Sequence, residues 1–298
     1  MMKPLYLKDF ESGKLREKRE KLRQMLSACR LCPRNCGVDR LAGEAGFCGA
    51  RATARVSSYF PHFGEEKCLV GERGSGTIFF AYCNLKCAFC QNYEISHLAR
   101  GRDISEEELA SFMLELQGRG CHNINLVTPT HFVYNILGAL EIAAEKGLNL
   151  PLVYNCGGYE SEEVIKVLEG VVDIYMPDAK FASGKKSDLF CMAPDYFENF
   201  KKVVKIMYKQ VGDLRLENGI ARRGLLVRHL VMPGGVEDSA LIMKFLYGIS
   251  KGTFVNIMGQ YHPCGQAHKF AEINRRITVE EYSQVALAAK KIGLHRFD

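Results

Sequence analysis

Three cysteines, Cys83, Cys87 and Cys90, stand in C-x3-C-x2-C spacing within the run Cys83-Asn84-Leu85-Lys86-Cys87-Ala88-Phe89-Cys90. Thiolates this close can hold three irons of a cubane, because iron–sulfur clusters bind through cysteine. The fourth iron then has no protein ligand. An open coordination position usually marks a metal that meets a reacting molecule. Two blander readings use the same residues: a zinc site that borrows a distant fourth ligand, or three unrelated core cysteines. Zinc favours four ligands with C-x2-C pairing, which the triplet alone does not offer.

A second group, Cys29, Cys32, Cys36 and Cys48, packs four cysteines into twenty residues. That spacing suits a four-thiolate site for zinc or for a second iron–sulfur cluster, with no metal at all as the alternative. Cys68, Cys121, Cys156, Cys191 and Cys264 stand alone and are expected to be small buried hydrophobes.

The chain has 298 residues, 47% hydrophobic and 25% charged, enough apolar material for a sizeable core. Its net charge is +6, and much of it lies in a run from Lys14 to Arg23 that reads as the solvated face of a helix. A pI near 8.6 is too mild for a strong nucleic-acid footprint. The N-terminus lacks an apolar signal region and no apolar run reaches the ~20 residues of a membrane span, so a cytoplasmic location is expected. In a reducing compartment, clustered cysteines point to metal or redox chemistry rather than disulfides.

These groups need elements to hold them. Residues 9–28 read as a charged helix, and residues 29–76 as a loop-rich, cysteine-rich module with little periodicity. From residue 77 onward strands and helices alternate. Strands are expected at 77–82, 123–127, 150–155, 171–176, 225–231 and 254–258. Helices are expected near 105–117, where Ser105 and Glu108 suggest a capping box, and near 132–146, 161–168, 196–210, 239–249 and 279–292. Six βα units predict an α/β fold: a parallel sheet covered by helices, as a partial (β/α)6 barrel over 77–298 behind the N-terminal module of 1–76.

Polar residues follow the strands: the cysteine triplet, then Thr128-Pro129-Thr130-His131, Asn155-Cys156-Gly157-Gly158, Pro177-Asp178-Ala179-Lys180, Met232-Pro233-Gly234-Gly235 and Gln260-Tyr261-His262-Pro263. In a parallel barrel these ends share one mouth, where active sites are built. Arg228-His229 lies inside an apolar strand, and a buried Arg needs an anion, either a ligand carboxylate or a structural Glu. Asp178 and Lys180 could hold a ligand or merely pair with each other. His131, His229 and His262 are expected to pack or hydrogen-bond rather than move protons.

The triplet, with Phe89 before Cys90, resembles the signature of the radical S-adenosylmethionine (SAM) superfamily. The wider strings Gly74-Ser75-Gly76-Thr77-Ile78-Phe79-Phe80, Cys90-Gln91-Asn92-Tyr93, Asn155-Cys156-Gly157-Gly158-Tyr159, Asp173-Ile174-Tyr175-Met176-Pro177-Asp178-Ala179-Lys180 and Arg228-His229-Leu230-Val231-Met232-Pro233-Gly234 are similar to the pyruvate formate-lyase-activating-enzyme-related branch. The resemblance implies a [4Fe–4S] cluster on Cys83, Cys87 and Cys90, with SAM on its open iron and reductive cleavage to a 5′-deoxyadenosyl radical. It also implies an oxidoreductase of activating-enzyme type, a flavodoxin- or ferredoxin-like electron donor and a protein substrate that receives a glycyl radical. A small-molecule or peptide-modifying radical enzyme, and a non-catalytic zinc or iron–sulfur binding module, are the alternatives. The Gly-Gly-Glu stretch that binds the SAM amino group in many relatives is replaced here by Thr128-Pro129-Thr130-His131. Phe89, Thr128, Pro129, Asn155, Asp178, Lys180, Arg228 and His229 are the candidate cofactor-binding residues.

Overall fold

The computed structural model describes residues 2–297. The chain opens with α1 (Tyr6–Glu11), α2 (Lys14–Gln24), β1 (Ala54–His62), α3 (Lys67–Val70) and β2 (Ser75–Phe80). Next come α4 (Tyr93–Ser96), β3 (Arg102–Ile104), α5 (Glu106–Gly118), β4 (Ile124–Val127), α6 (Val133–Glu145), β5 (Leu152–Cys156), α7 (Glu162–Val167) and β6 (Ile174–Pro177). The remainder is α8 (Gly184–Cys191), α9 (Tyr196–Val211), β7 (Arg215–Glu217), β8 (Ile220–Leu230), α10 (Val236–Ile249), β9 (Phe254–Met258), α11 (Val279–Ile292) and β10 (Arg296–Phe297).

One sheet runs β10-β9-β8-β6-β5-β4-β2-β1-β3, with β7 hanging antiparallel on β8. The stretch from β2 to β10 is parallel, and β1 and β3 add an antiparallel edge beyond β2. β10 and β3 are the two ends of this path, so the barrel is partial and open. All six expected parallel strands form, and β10 adds a short seventh.

Side chains alternate across each strand. Ile78, Phe80, Leu126, Tyr154, Tyr175, Leu225, Val227 and Val255 join the large core that includes buried residues of the covering helices. Their neighbours face the barrel interior. There Val153, Ile174, Met176, Leu226 and Phe254 form a smaller cluster with Cys68 and Leu69 of α3. The segment between β1 and β2 thus crosses the base of the open barrel and plugs it from inside.

Local differences have local causes. The expected helix over 9–28 is two helices, because Gly13 sits at φ +76° and breaks the ladder. β1 lies in the stretch expected to be loop. It holds Pro61 and carries a bulge between Val56 and Ser58, both edge-strand features that blur the alternation. Ser105 caps α5 by accepting the Glu108 amide at 3.2 Å, but the Glu108 carboxylate pairs with Arg102 instead of closing the capping box. The box forms at α11, between Thr278 and Glu281.

Candidate active site

A cavity of about 540 Å3 opens at the C-terminal ends of the parallel strands. Cys83, Cys87 and Cys90 lie on one wall, in the loop that leaves β2, together with Leu85, Phe89 and Asn92. Thr128 follows β4, Asn155 closes β5, Asp178 and Lys180 follow β6, Arg228 sits on β8, and Asn256, Met258 and Gln260 come from β9 and its exit. The inward parity of β8 and β9 puts Arg228 and Asn256 on this wall and sends His229 to the other side.

The cysteine loop is pinned from two sides. Ala88 N–H donates to the Phe190 carbonyl (2.8 Å) and Lys86 N–H to that of Cys191 (3.3 Å), at the end of α8. Gln266 N–H donates to the Ala88 carbonyl at 2.7 Å, and the Gln266 side chain donates to the Tyr93 hydroxyl at 2.6 Å. Gly265 is required there: at φ +54° a Cβ would come within 3.0 Å of the Ala88 carbonyl oxygen. Tyr82 and Thr128, both ordinary L residues, adopt φ +70° and +59°, a backbone state that neighbours must enforce.

The sulfurs suit thiolate ligands. Leu85 N–H points at Cys83 Sγ (3.4 Å), and the Ser96 hydroxyl lies 3.1 Å from Cys90 Sγ. As free thiols they titrate high: burial pushes Cys83 up to about 12, and contact with the Cys191 thiol at 3.3 Å, then burial, raises Cys87. Binding iron removes that penalty, since the metal stabilises the thiolate outright. Among the described residues no three Cys, His, Asp or Glu side chains converge on a point that a single ion could occupy. A cluster takes one thiolate on each of three irons, which is what the triplet offers.

The opposite wall is a charge network. Arg228 donates to Asp178 (2.9 Å), Glu65 (3.2 Å) and Asn155 (2.8 Å), and Lys180 donates to the other Asp178 oxygen at 2.9 Å. Burial works against the charged form, but the Asp178 and Glu65 carboxylates outweigh it and keep Arg228 protonated. Arg228 and Lys180 in turn hold Asp178 below its ordinary value despite burial. Glu66 stands beside this network: burial raises its carboxyl in spite of Arg228, and it accepts from Asn256 at 3.0 Å.

Of the residues expected to bind cofactor, Phe89, Thr128, Asn155, Asp178, Lys180 and Arg228 line the cavity. Two do not. Pro129 begins the turn behind Thr128, outside the lining. His229 is buried on the outer face, bonded to the Ala179 carbonyl (2.7 Å) and the Ser239 hydroxyl (2.8 Å), so it fastens α10 to the sheet. The anion that a buried Arg228 demands comes from the chain itself. Glu65 and Glu66, in the segment that plugs the barrel, escape a reading of the sequence. Their one signal is a charged pair just after Gly64, which any surface loop also shows. Cys191, beside Cys87, reads as a lone core cysteine because the two are 104 positions apart. His131 packs as expected, 2.7 Å from the Ala81 carbonyl.

Residues 77–234 match the family model of the radical SAM superfamily. An uncharacterised protein of Methanocaldococcus jannaschii is 32% identical over 276 residues, spanning 89% of this chain and 75% of its own. A second uncharacterised protein of that organism is 26% identical over 166 residues, 50% of this chain and 48% of its own. A solved structure described as native anSMEcpe with bound AdoMet aligns with a TM-score of 0.49 at 12% identity, over 70% of this chain and 56% of that one. The chain belongs to the radical SAM superfamily. It is a SAM-binding radical enzyme whose cofactors are a [4Fe–4S] cluster and SAM. Among the described residues no helix is long and apolar enough to cross a membrane.

Proposed function

We propose that this chain cleaves SAM reductively at a cluster held by Cys83, Cys87 and Cys90, and abstracts hydrogen from a substrate seated between that cluster and the Arg228 network. The observation that carries this reading is the cavity itself, with three sulfurs on one wall and an internally neutralised polar wall opposite. When bound, the cluster and SAM supply the electron and the sulfonium whose cleavage gives the 5′-deoxyadenosyl radical.

The residues of the chain then have distinct tasks. The Gln266 and Phe190 contacts hold the cysteine loop in place, so the three thiolates would present a bound cluster to the cavity from a fixed position. With no carboxylate after β4, the amino group of SAM falls to the backbone and hydroxyl of Thr128. Asn155 and the remaining donors of Lys180 face the cavity, where they can take ribose hydroxyls or a carboxylate. Phe89, packed edge-on against Phe181 and Tyr261, offers an apolar surface beside the cluster. A one-electron donor of flavodoxin or ferredoxin type is required from outside.

The substrate follows from the resemblance: a glycine of a partner polypeptide, which would make this an activating enzyme. A compact polar molecule is the second reading, favoured by the Arg228–Asp178–Lys180–Glu65 network deep in the cavity. Deuterium transfer separates the two. Peptides and small molecules carrying deuterium are incubated with enzyme, SAM and reductant, and the label is sought in 5′-deoxyadenosine. Label from a glycine Cα supports the activase reading; label only from small polar molecules replaces it.

A further inference from the structure

Outside the active site the chain gathers a second set of sulfurs. Cys29, Cys32 and Cys48 are buried and Cys36 is half-buried, on loops between α2 and β1. Cys48 is the hub, with Cys29, Cys36 and Cys32 all close to it. Backbone amides point at three of the four sulfurs. Phe47 N–H reaches Cys36 Sγ at 3.3 Å, Ala50 N–H reaches Cys48 Sγ at 3.4 Å, and the Arg34 amide faces Cys32. Leu85 N–H makes the same contact with Cys83 in the active site. The loop is tight: any Cβ on Gly46 would fall 2.7 Å from both Cβ and Sγ of Cys36.

The decisive neighbour is Arg40. It is 1% exposed, yet its Nε and Nη1 have no hydrogen-bond partner, and its remaining nitrogen reaches a neutral acceptor, the Arg51 carbonyl. Among the described residues no carboxylate pairs with it. The side chain lies near Cys48. A buried guanidinium without an anion is costly, and four neutral thiols supply no charge. A metal centre on four thiolates is anionic, and it provides what Arg40 lacks.

We propose that Cys29, Cys32, Cys36 and Cys48 bind a second iron–sulfur cluster, with Arg40 as its buried counter-ion. Zinc on the same four thiolates would also be anionic and is the competing occupant, which metal analysis separates from iron. The site is coupled to the first. Arg34, between Cys32 and Cys36, stacks over Phe47 at 3.9 Å and donates to the Asn84 carbonyl at 2.9 Å, one residue from Cys83.

The test uses the full chain carrying Cys83→Ala, Cys87→Ala and Cys90→Ala, reconstituted anaerobically with iron and sulfide. A second cubane predicts about four irons per chain in this variant and about eight in the wild type. Adding Cys32→Ala and Cys48→Ala brings iron to zero. In the triple background, Arg40→Gln moves the cluster midpoint to more negative potential, because the reduced form gains negative charge and loses its counter-ion. No iron in the triple variant, about four in the wild type, one zinc in place of iron, or an unmoved midpoint in Arg40→Gln would each overturn the proposal.

Discussion

The two cysteine groups are built alike and placed differently. Both keep sulfurs out of bulk water under backbone N–H donors. The triplet opens onto a cavity whose charges are already balanced: Arg228 and Lys180 against Asp178 and Glu65. The N-terminal group lies outside that cavity and leaves Arg40 unbalanced. An open, neutral chamber accepts a reacting molecule without a charge penalty. A set of largely buried sulfurs beside an unpaired cation asks for a permanent anion. Cysteine spacing alone does not separate these cases; the neighbouring charges do.

The largest expected effect that breaks this contrast comes from Cys87→Ala. It removes the reducible active-site cluster while the circular dichroism of the barrel is kept. Arg228→Ala follows. It strands Asp178 and Glu65 without their shared cation, so unfolding free energy should fall by about 3 kcal/mol. Arg228→Ala should also weaken SAM binding without loss of iron, as should Asp178→Ala; unchanged affinity in both would confine the network to a structural role.

A comparable shift tests a buried carboxyl that belongs to neither set of sulfurs, although its charge reaches Cys32. Glu160 accepts from Thr130 and Tyr154 at 2.9 Å each, yet burial dominates and lifts it to about 7. The folded chain therefore holds a proton that the unfolded chain releases near 4.5. The stability from this proton is full below that value and is lost as pH rises toward 7, by up to roughly 3 kcal/mol. Glu160→Gln should flatten this slope between pH 5 and 8 in denaturant titrations; an unchanged slope would assign it to other groups. The smallest effect belongs to Arg34→Ala. It deletes the Asn84 contact and the Phe47 stack that tie the two cysteine loops, and should cost about 1–2 kcal/mol.

Much of this is legible in the sequence because the signals are local. The parallel strands read as short apolar runs, and the residues at their ends reach the cavity because strand parity and βα order leave them nowhere else to go. What stays hidden depends on distant pairing. Glu65 and Glu66 enter the barrel only because the plug segment crosses its base, and β1 becomes a strand only because β2 is there to pair with it. The expectation that His229 binds cofactor follows from its neighbour Arg228, yet a single step along a strand turns a side chain to the opposite face.

The central claim is tested most directly by anaerobic reconstitution of the wild-type chain, followed by SAM and a strong reductant. The account predicts 5′-deoxyadenosine and methionine in equal amounts from the wild type, and none from Cys83→Ala or Cys90→Ala prepared in the same way. A reconstituted wild type that forms no 5′-deoxyadenosine, or variants that form as much as the wild type, would contradict it.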